Sequence, residues 1–418
     1  MKKKESILAV LVLLLFGTFF SNDTDILNGI IVGCVALAAF LFNPLKEKWT
    51  LLKSRPHIWF QLLFFGMLLV SIQHSDNEGR AWRYLDTRLA LLYFPVSIGL
   101  IAIRKEFKEK ALLGLALITT AVSFFCLVWG IHRSGYFKQP ELLYNDSLTE
   151  VIRRQSVYIS LLVNISVYIF GYWVFYKPIS DGKKLLMLLG ILFLFIISFL
   201  LASRNMMMIL YGVSFCFILY YLIARKKYLE GSALLIGILM GAFLIVKFSP
   251  KTLNRFKELT YTQYDYKSMG KESHYNMEVT ADQWNGANFR LAAWPCGWHL
   301  FKQQPLLGVG LGDKQVELKQ EYARRGFTFG VLTDKNIHNN YLDVLYATGI
   351  ISFVFFLLGW VLLPLWRTVN SNQGLSFLII LTIAIAMVTE IYFDRTLGGM
   401  VIGFLIPFVL AEQKQPLV

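Results

Sequence analysis

Three side chains in this sequence have types and positions suited to chemistry on a phosphorylated substrate. His338 stands in NIHNNYLDVLYATGI, residues 336–350, where a long polar segment meets a long apolar one. Arg204 stands in LLASRNMMMIL, in a very short link between two apolar runs. Arg290 stands in NFRLAAWPCGWHLFKQQPLLGVGLGD, where apolar residues recur at helical spacing and Trp294 and Trp298 are four apart. A guanidinium is planar, keeps its charge and can give two hydrogen bonds to one phosphate. Imidazole titrates near neutral pH and can take a proton from a hydroxyl. Two arginines and a histidine on one membrane face would therefore suit displacement of a lipid-linked pyrophosphate by an incoming hydroxyl. Each residue also has a plainer reading. His338 can cap or snorkel at a helix start beside Asn339 and Asn340. Arg204 can reach anionic headgroups, and the helix around Arg290 can simply lie in the interface.

Other residues stand in a second rank. Glu390, in MVTEIYFDRTLGG, is expected one turn inside an apolar span, where a carboxylate is a functional candidate by default. Pairing with Arg395 accounts for it equally well. Arg83 and Arg88, in RAWRYLDTRLALLYF, either add to a phosphate site or anchor a helix. GVGLGD, residues 308–313, lacks the Gly-Lys-Ser/Thr of a P-loop, so a turn is expected, with amides near a phosphate as the lesser option. Asp23 and Asp25 form an Asp-x-Asp pair in a turn too short to build a metal pocket. Cys296 with His299 is half a zinc site without a second half. No metal and no cofactor are expected.

The elements that must carry these residues are membrane helices. Of 418 residues 56% are apolar and 16% charged, and the mean hydropathy is +0.53. Twelve runs approach the length needed to cross about 30 Å of hydrocarbon. They lie near 6–20, 26–42, 57–72, 88–103, 111–131, 155–176, 185–202, 205–223, 232–248, 339–366, 375–393 and 398–411. The formal charge of +14 points to headgroups and orientation signals, not to nucleic acid. Nineteen Lys and Arg fall in 2–4, 46–55, 104–110, 177–184, 225–227, 367 and 414, against nine in the short links between. That bias places both termini in the cytoplasm. The mixed-charge segment 249–337 then faces the other side as one large extracytoplasmic loop within a single membrane domain, 1–418. MKKKESILAVLVLLLFGTFF lacks a small-x-small cleavage site and reads as an uncleaved first helix. Cys34, Cys126 and Cys216 lie in apolar runs and offer Cys296 no disulfide partner.

SRN after the seventh run, Arg290 followed by PLLGVGLG, and HNNYLDVLYATGI together resemble the O-antigen ligase and polymerase superfamily. The resemblance runs in motif order over about 185–366, and its most specific piece is His-Asn leading into a Leu-rich helix with Gly-Ile. It implies an all-α, GT-C-like glycosyltransferase of about twelve membrane helices in the bacterial inner membrane, with its active site facing the periplasm. The donor would be a glycan on undecaprenyl pyrophosphate, and the acceptor of a ligase a lipid A-core sugar, with metal-independent inversion. By motif, the pyrophosphate-binding arginines fall on Arg204 and Arg290 and the catalytic histidine on His338, while Arg88 and Glu390 match less securely. A polymerase of the same superfamily would keep the product on undecaprenyl pyrophosphate. A transporter of lipid-linked sugars would instead place ionisable residues near the midplane and show repeats, and none is visible.

Overall fold

A computed structural model describes residues 2–21, 25–226, 256–273, 280 and 282–412, with isolated positions between 227 and 255. The described chain is helical and contains no strand. Among the described residues helices occupy eleven of the twelve expected positions; most of the run at 232–248 lies outside those residues, as does Asp23. Among the described residues six helices are long and apolar enough to cross a membrane: Pro56–Gln73, Lys105–Phe137, Ser156–Tyr176, Asp181–Leu200, Arg204–Ala224 and Asn340–Asn370. A seventh candidate, Ile26–Phe40 with Leu45–Ser54, bends by 93° at its break. Three more are apolar but short: Ala90–Leu100, Gly374–Ala386 and Thr396–Leu410. The short ones lie inside the bundle. Every residue of the last helix from Leu397 to Leu410 is buried, and a Cβ on Gly403 would come 2.7 Å from the Ala90 carbonyl. Small residues let two backbones approach this closely where lipid offers no hydrophobic drive.

The basic links expected on one side meet at one end of the bundle. Arg104 pairs with Glu5, Lys108 lies 2.6 Å from Glu412, and Lys177 lies 2.5 Å from Glu109. Buried Arg55 donates to the carbonyls of Ile101 at 2.8 Å and Ala411 at 3.2 Å.

The polar segment packs on the opposite end. It folds into the helices Gly286–Gln303, Lys314–Arg324 and Thr328–Thr333, with an aromatic core of its own around Trp284, Phe289, Tyr322 and Phe327. The Gly286 helix begins with a reciprocal cap: Asn285 accepts from Ala287 and Asn288, and the Asn288 side chain accepts from the Asn285 amide.

GVGLGD is the bolt between segment and bundle. The Val309 and Gly310 amides donate to the Tyr346 and Ala347 carbonyls at 2.9 and 3.0 Å. Those of Leu311 and Gly312 donate to the Ser71 and Ser75 hydroxyls at 2.9 and 3.0 Å. Asp313 then accepts from the Asp76 and Asn77 amides. The turn reading holds, and these amides are spent on protein acceptors. The turn fits because the Asn340 helix kinks at Gly349, whose φ of 76° and ψ of 178° suit a residue without a side chain. A Cβ there would collide with the Leu306 carbonyl.

Candidate functional site

Each candidate residue is placed by a helix end. Arg204 opens the helix Arg204–Arg225, and its guanidinium pairs with Glu258, a fully buried carboxylate of the polar segment. Arg290 lies one turn into the Gly286 helix. Its Nε and Nη2 donate to the Thr389 carbonyl at 3.2 and 2.8 Å, and its Nη1 donates back to Gly286 O at 2.5 Å. The two arginines converge on one point: a Cβ built on Gly286 would lie 2.7 Å from Arg204 Nη2 and 2.9 Å from Arg290 Nη1. Residues 86 positions apart in the chain thus bring two cations around a glycine that has room only for hydrogen.

His338 immediately precedes the Asn339 cap of the Asn340 helix. Its φ is 47°, a left-handed conformation uncommon for a side chain beyond glycine. The Asn336 side chain stabilises it by accepting the His338 amide at 3.0 Å. The imidazole stands edge-on to Phe289, ring centres 6.0 Å apart, so it neighbours the turn that carries Arg290. Its Nδ1 lies 3.3 Å from Glu390 Oε2.

Glu390 corrects one expectation. The helix that precedes it ends at Ala386, so the residue stands in the outer turn and not one turn inside a span. Its partner is His338, not Arg395. Residues 387–395 fold back because Met387 O accepts the Asn340 amide and Asn340 Oδ1 accepts the Phe393 amide. Burial pushes the Glu390 carboxyl up, but the His338 hydrogen bond and charge, the Arg290 charge and the Ile391 amide outweigh it and hold it below the ordinary range. Burial lowers Arg290, with Glu390 opposing; a guanidinium still keeps its proton at any working pH.

Two expected residues lie elsewhere. Arg88 is 2% exposed and sits 2.7 Å from Asp394 and 3.6 Å from Asp343. Lys314 Nζ completes the group at 2.8 Å from Asp343 and 2.7 Å from Asp394. Arg88 is thereby committed to a buried, charge-balanced cluster that ties the helix Lys314–Arg324 to the bundle. Arg83 is exposed on the helix Glu78–Thr87 and has no ion pair among the described residues. Cys296 is buried and donates to the Ala292 carbonyl, while His299 meets Gln303. Among the described residues no three His, Cys, Asp or Glu converge as a metal site.

Sequence reasoning missed Glu258, Lys314, Asp343 and Asp394. Asp343 and Asp394 carried a signal, since each is a carboxylate inside a strongly apolar stretch. Glu258 and Lys314 lie among many charges of a polar segment and carried none.

The arrangement offers a half-exposed imidazole, oriented by a carboxylate, beside two converging guanidiniums at one end of a helical membrane bundle. No curated protein matches the chain closely. Residues 188–357, which contain Arg204, Arg290 and His338, match the family model described as O-antigen ligase.

Proposed function

We propose that this protein is a glycosyltransferase that moves a glycan from undecaprenyl pyrophosphate to a sugar of the lipid A core at the periplasmic face of the inner membrane. The observation that carries the reading is the convergence of Arg204 and Arg290 on Gly286, beside the His338–Glu390 pair. In the tautomer whose Nδ1–H is donated to Glu390, His338 Nε2 presents its lone pair. The acceptor hydroxyl gives its proton to Nε2 while its oxygen bonds to the anomeric carbon. The bond from that carbon to the pyrophosphate oxygen breaks, and the electron pair leaves with the pyrophosphate. Attack opposite the leaving group inverts the anomeric centre. Arg204 and Arg290 stabilise the charge that gathers on the leaving oxygens, and prepositioned donors of this kind are worth most away from bulk water. Glu390 steadies the ring and the imidazolium that forms, the role of the third member of a nucleophile–base–carboxylate triad. The basic bias of the opposite end supports cytoplasmic termini and a periplasmic segment 249–337.

The test is transfer in vitro. Purified protein, undecaprenyl-pyrophosphate glycan and lipid A core are combined with and without EDTA, beside His338→Asn. Asparagine tolerates the left-handed backbone that alanine would strain, so loss of activity reports the ring. The expected result is an EDTA-resistant, lipid A-linked product that falls about 10²–10⁴-fold in the variant. Longer chains still on undecaprenyl pyrophosphate would make the protein a polymerase. Full activity of the variant would remove His338 from the mechanism, and movement of lipid-linked glycan without transfer would favour transport.

A further inference from the structure

A cavity of about 430 Å³ opens between the helices Glu78–Thr87 and Lys314–Arg324, beside the site but outside it. Arg80, Tyr84, Gln315, Val316, Lys319 and Asp334 line it. Its size lies in the range of about 300–1,000 Å³ typical of small-molecule sites. The lining is polar in a specific way. Gln315 donates its side-chain amide to the Asp334 backbone carbonyl at 3.0 Å and so ties down the residue that follows the short helix Thr328–Thr333. Lys319 Nζ stands 3.5 Å from Asp334 Oδ1. Arg80, one turn from Tyr84, has no carboxylate partner among the described residues, although its backbone amide is capped by Asn77. With Lys319 matched by Asp334, the cavity keeps one positive charge in surplus and presents it on the side chain best shaped to grip a carboxylate or phosphate.

Its place ties it to the substrate. Asp334 and His338 bound the same short link, with Lys335 between them paired to Glu272. On the other wall, Lys314 Nζ stands 4.6 Å over the Tyr84 ring and holds Asp394, in the turn that carries Glu390. Both walls of the cavity are thus joined to chain segments that carry His338 and Glu390.

We infer that this cavity is a subsite for one negatively charged sugar unit, bearing a carboxylate or phosphate, of the glycan substrate. Arg80 binds the anion, while Lys319, Asp334, Gln315 and the Tyr84 phenol meet its hydroxyls. The inference rests on the glycosyltransferase reading for its substrate class. Donor and acceptor glycans could both supply such a unit, and the kinetic arm below separates them.

The test uses full-length protein in lipid nanodiscs and ligand-observed NMR, with cellobiouronic acid as the anionic probe and cellobiose as its neutral match. Saturation transfer is expected to cellobiouronic acid and not to cellobiose. Its dissociation constant should rise at least about tenfold in Arg80→Ala and several-fold in Lys319→Ala, a tenfold change corresponding to about 1.4 kcal/mol. Both positions are on the surface, and unchanged melting checks the fold. His338→Asn should bind as wild type does. Equal binding of the neutral disaccharide, absence of binding, or indifference to Arg80→Ala overturns the subsite. In the transfer assay Arg80→Ala should raise KM several-fold with kcat little changed, for the donor if the unit belongs to it and for the acceptor otherwise. Transfer with both KM values unmoved sinks the subsite alone. Anion-selective binding by a protein that transfers nothing sinks the glycosyltransferase reading alone.

Discussion

Two groups of charges stand at the same end of this molecule, and they are built in opposite ways. In the cluster of Arg88, Lys314, Asp343 and Asp394, the first three side chains are 1–2% exposed, and two cations balance two carboxylates. In the other, His338 is 27% and Glu390 19% exposed, while Arg204 at 12% meets Arg290 across a glycine. Burying a charge is costly unless it is matched. The closed cluster meets that cost with internal partners and so has little affinity to offer an outside ligand. The open group sets two guanidiniums side by side and, although Glu258 pairs with Arg204 and Glu390 with His338, leaves the imidazole and its carboxylate partly accessible, which suits a site that receives a substrate. Charge density alone does not mark a site; charge that stays within reach of a ligand does.

The sharpest way to break this contrast is to damage the closed cluster. Lys314→Met leaves two buried carboxylates facing Arg88 alone. Removal of one partner from a buried ionic group costs about 3–5 kcal/mol, so this variant should unfold at a clearly lower temperature and be recovered in lower yield. The fraction that folds should retain its activity per molecule. A variant as stable as wild type but inactive would reverse the assignment and put Lys314 in the reaction.

Arg290→Lys attacks the open group. Lysine keeps the charge but loses the planar fork that reaches Thr389 O and Gly286 O together. Transfer should fall about 10²–10³-fold, the loss seen when one oxyanion donor is removed, with thermal stability nearly unchanged. Steady-state kinetics beside a melting curve reads both. Activity within a factor of two of wild type would make Arg290 a scaffold residue like Arg88.

How much of this was legible follows the same division. Helix positions were readable because twelve apolar runs have few other fates, and eleven of them carry helices. Helix ends were not: the run expected to 393 stops at Ala386 because Met387 O is taken by the Asn340 amide. That non-local bond moved Glu390 from the span to the turn. Arg204, Arg290 and His338 were legible as a set because each marks a boundary between polar and apolar sequence. Their meeting at Gly286 was not, since residue 286 carries no periodic or charge signal of its own. In sequence Arg88 had two readings, an addition to the phosphate site or an anchor for its helix. Only Lys314, brought in by the folding of the polar segment, separates them.

Gly286→Ala tests that meeting point with a single methyl. Alanine is a better helix residue than glycine, by up to about 1 kcal/mol in a helix interior, so stability should hold or rise slightly. The methyl, however, would sit 2.7 and 2.9 Å from the two guanidiniums and must push them apart. Transfer should fall on the order of tenfold, because a displacement near 1 Å in a positioning group carries penalties of that scale or more. Higher stability with lower activity is the signature of a clamp; no change in either would mean that the arginines do not act together.

Glu390→Gln is the smallest expected effect and reads the orienting partner. Glutamine keeps the size and can still accept from Nδ1–H, but it cannot stabilise an imidazolium by charge, so kcat should drop several-fold with KM little changed. The pH dependence of stability gives a second reading with a definite sign. The folded carboxyl is held below its ordinary value of 4.5, so the native state binds this proton less readily than the unfolded chain does. The stability it contributes is fully present above that ordinary value and is lost as pH falls through the lower folded value. The melting-temperature gap between wild type and Glu390→Gln should therefore stay constant from pH 8 to about 5, then close on further acidification. A gap that already shrinks near neutral pH would mean that the carboxylate titrates there. In that case His338 and Arg290 do not hold Glu390 ionised, and the open group would lose the member that makes His338 a base.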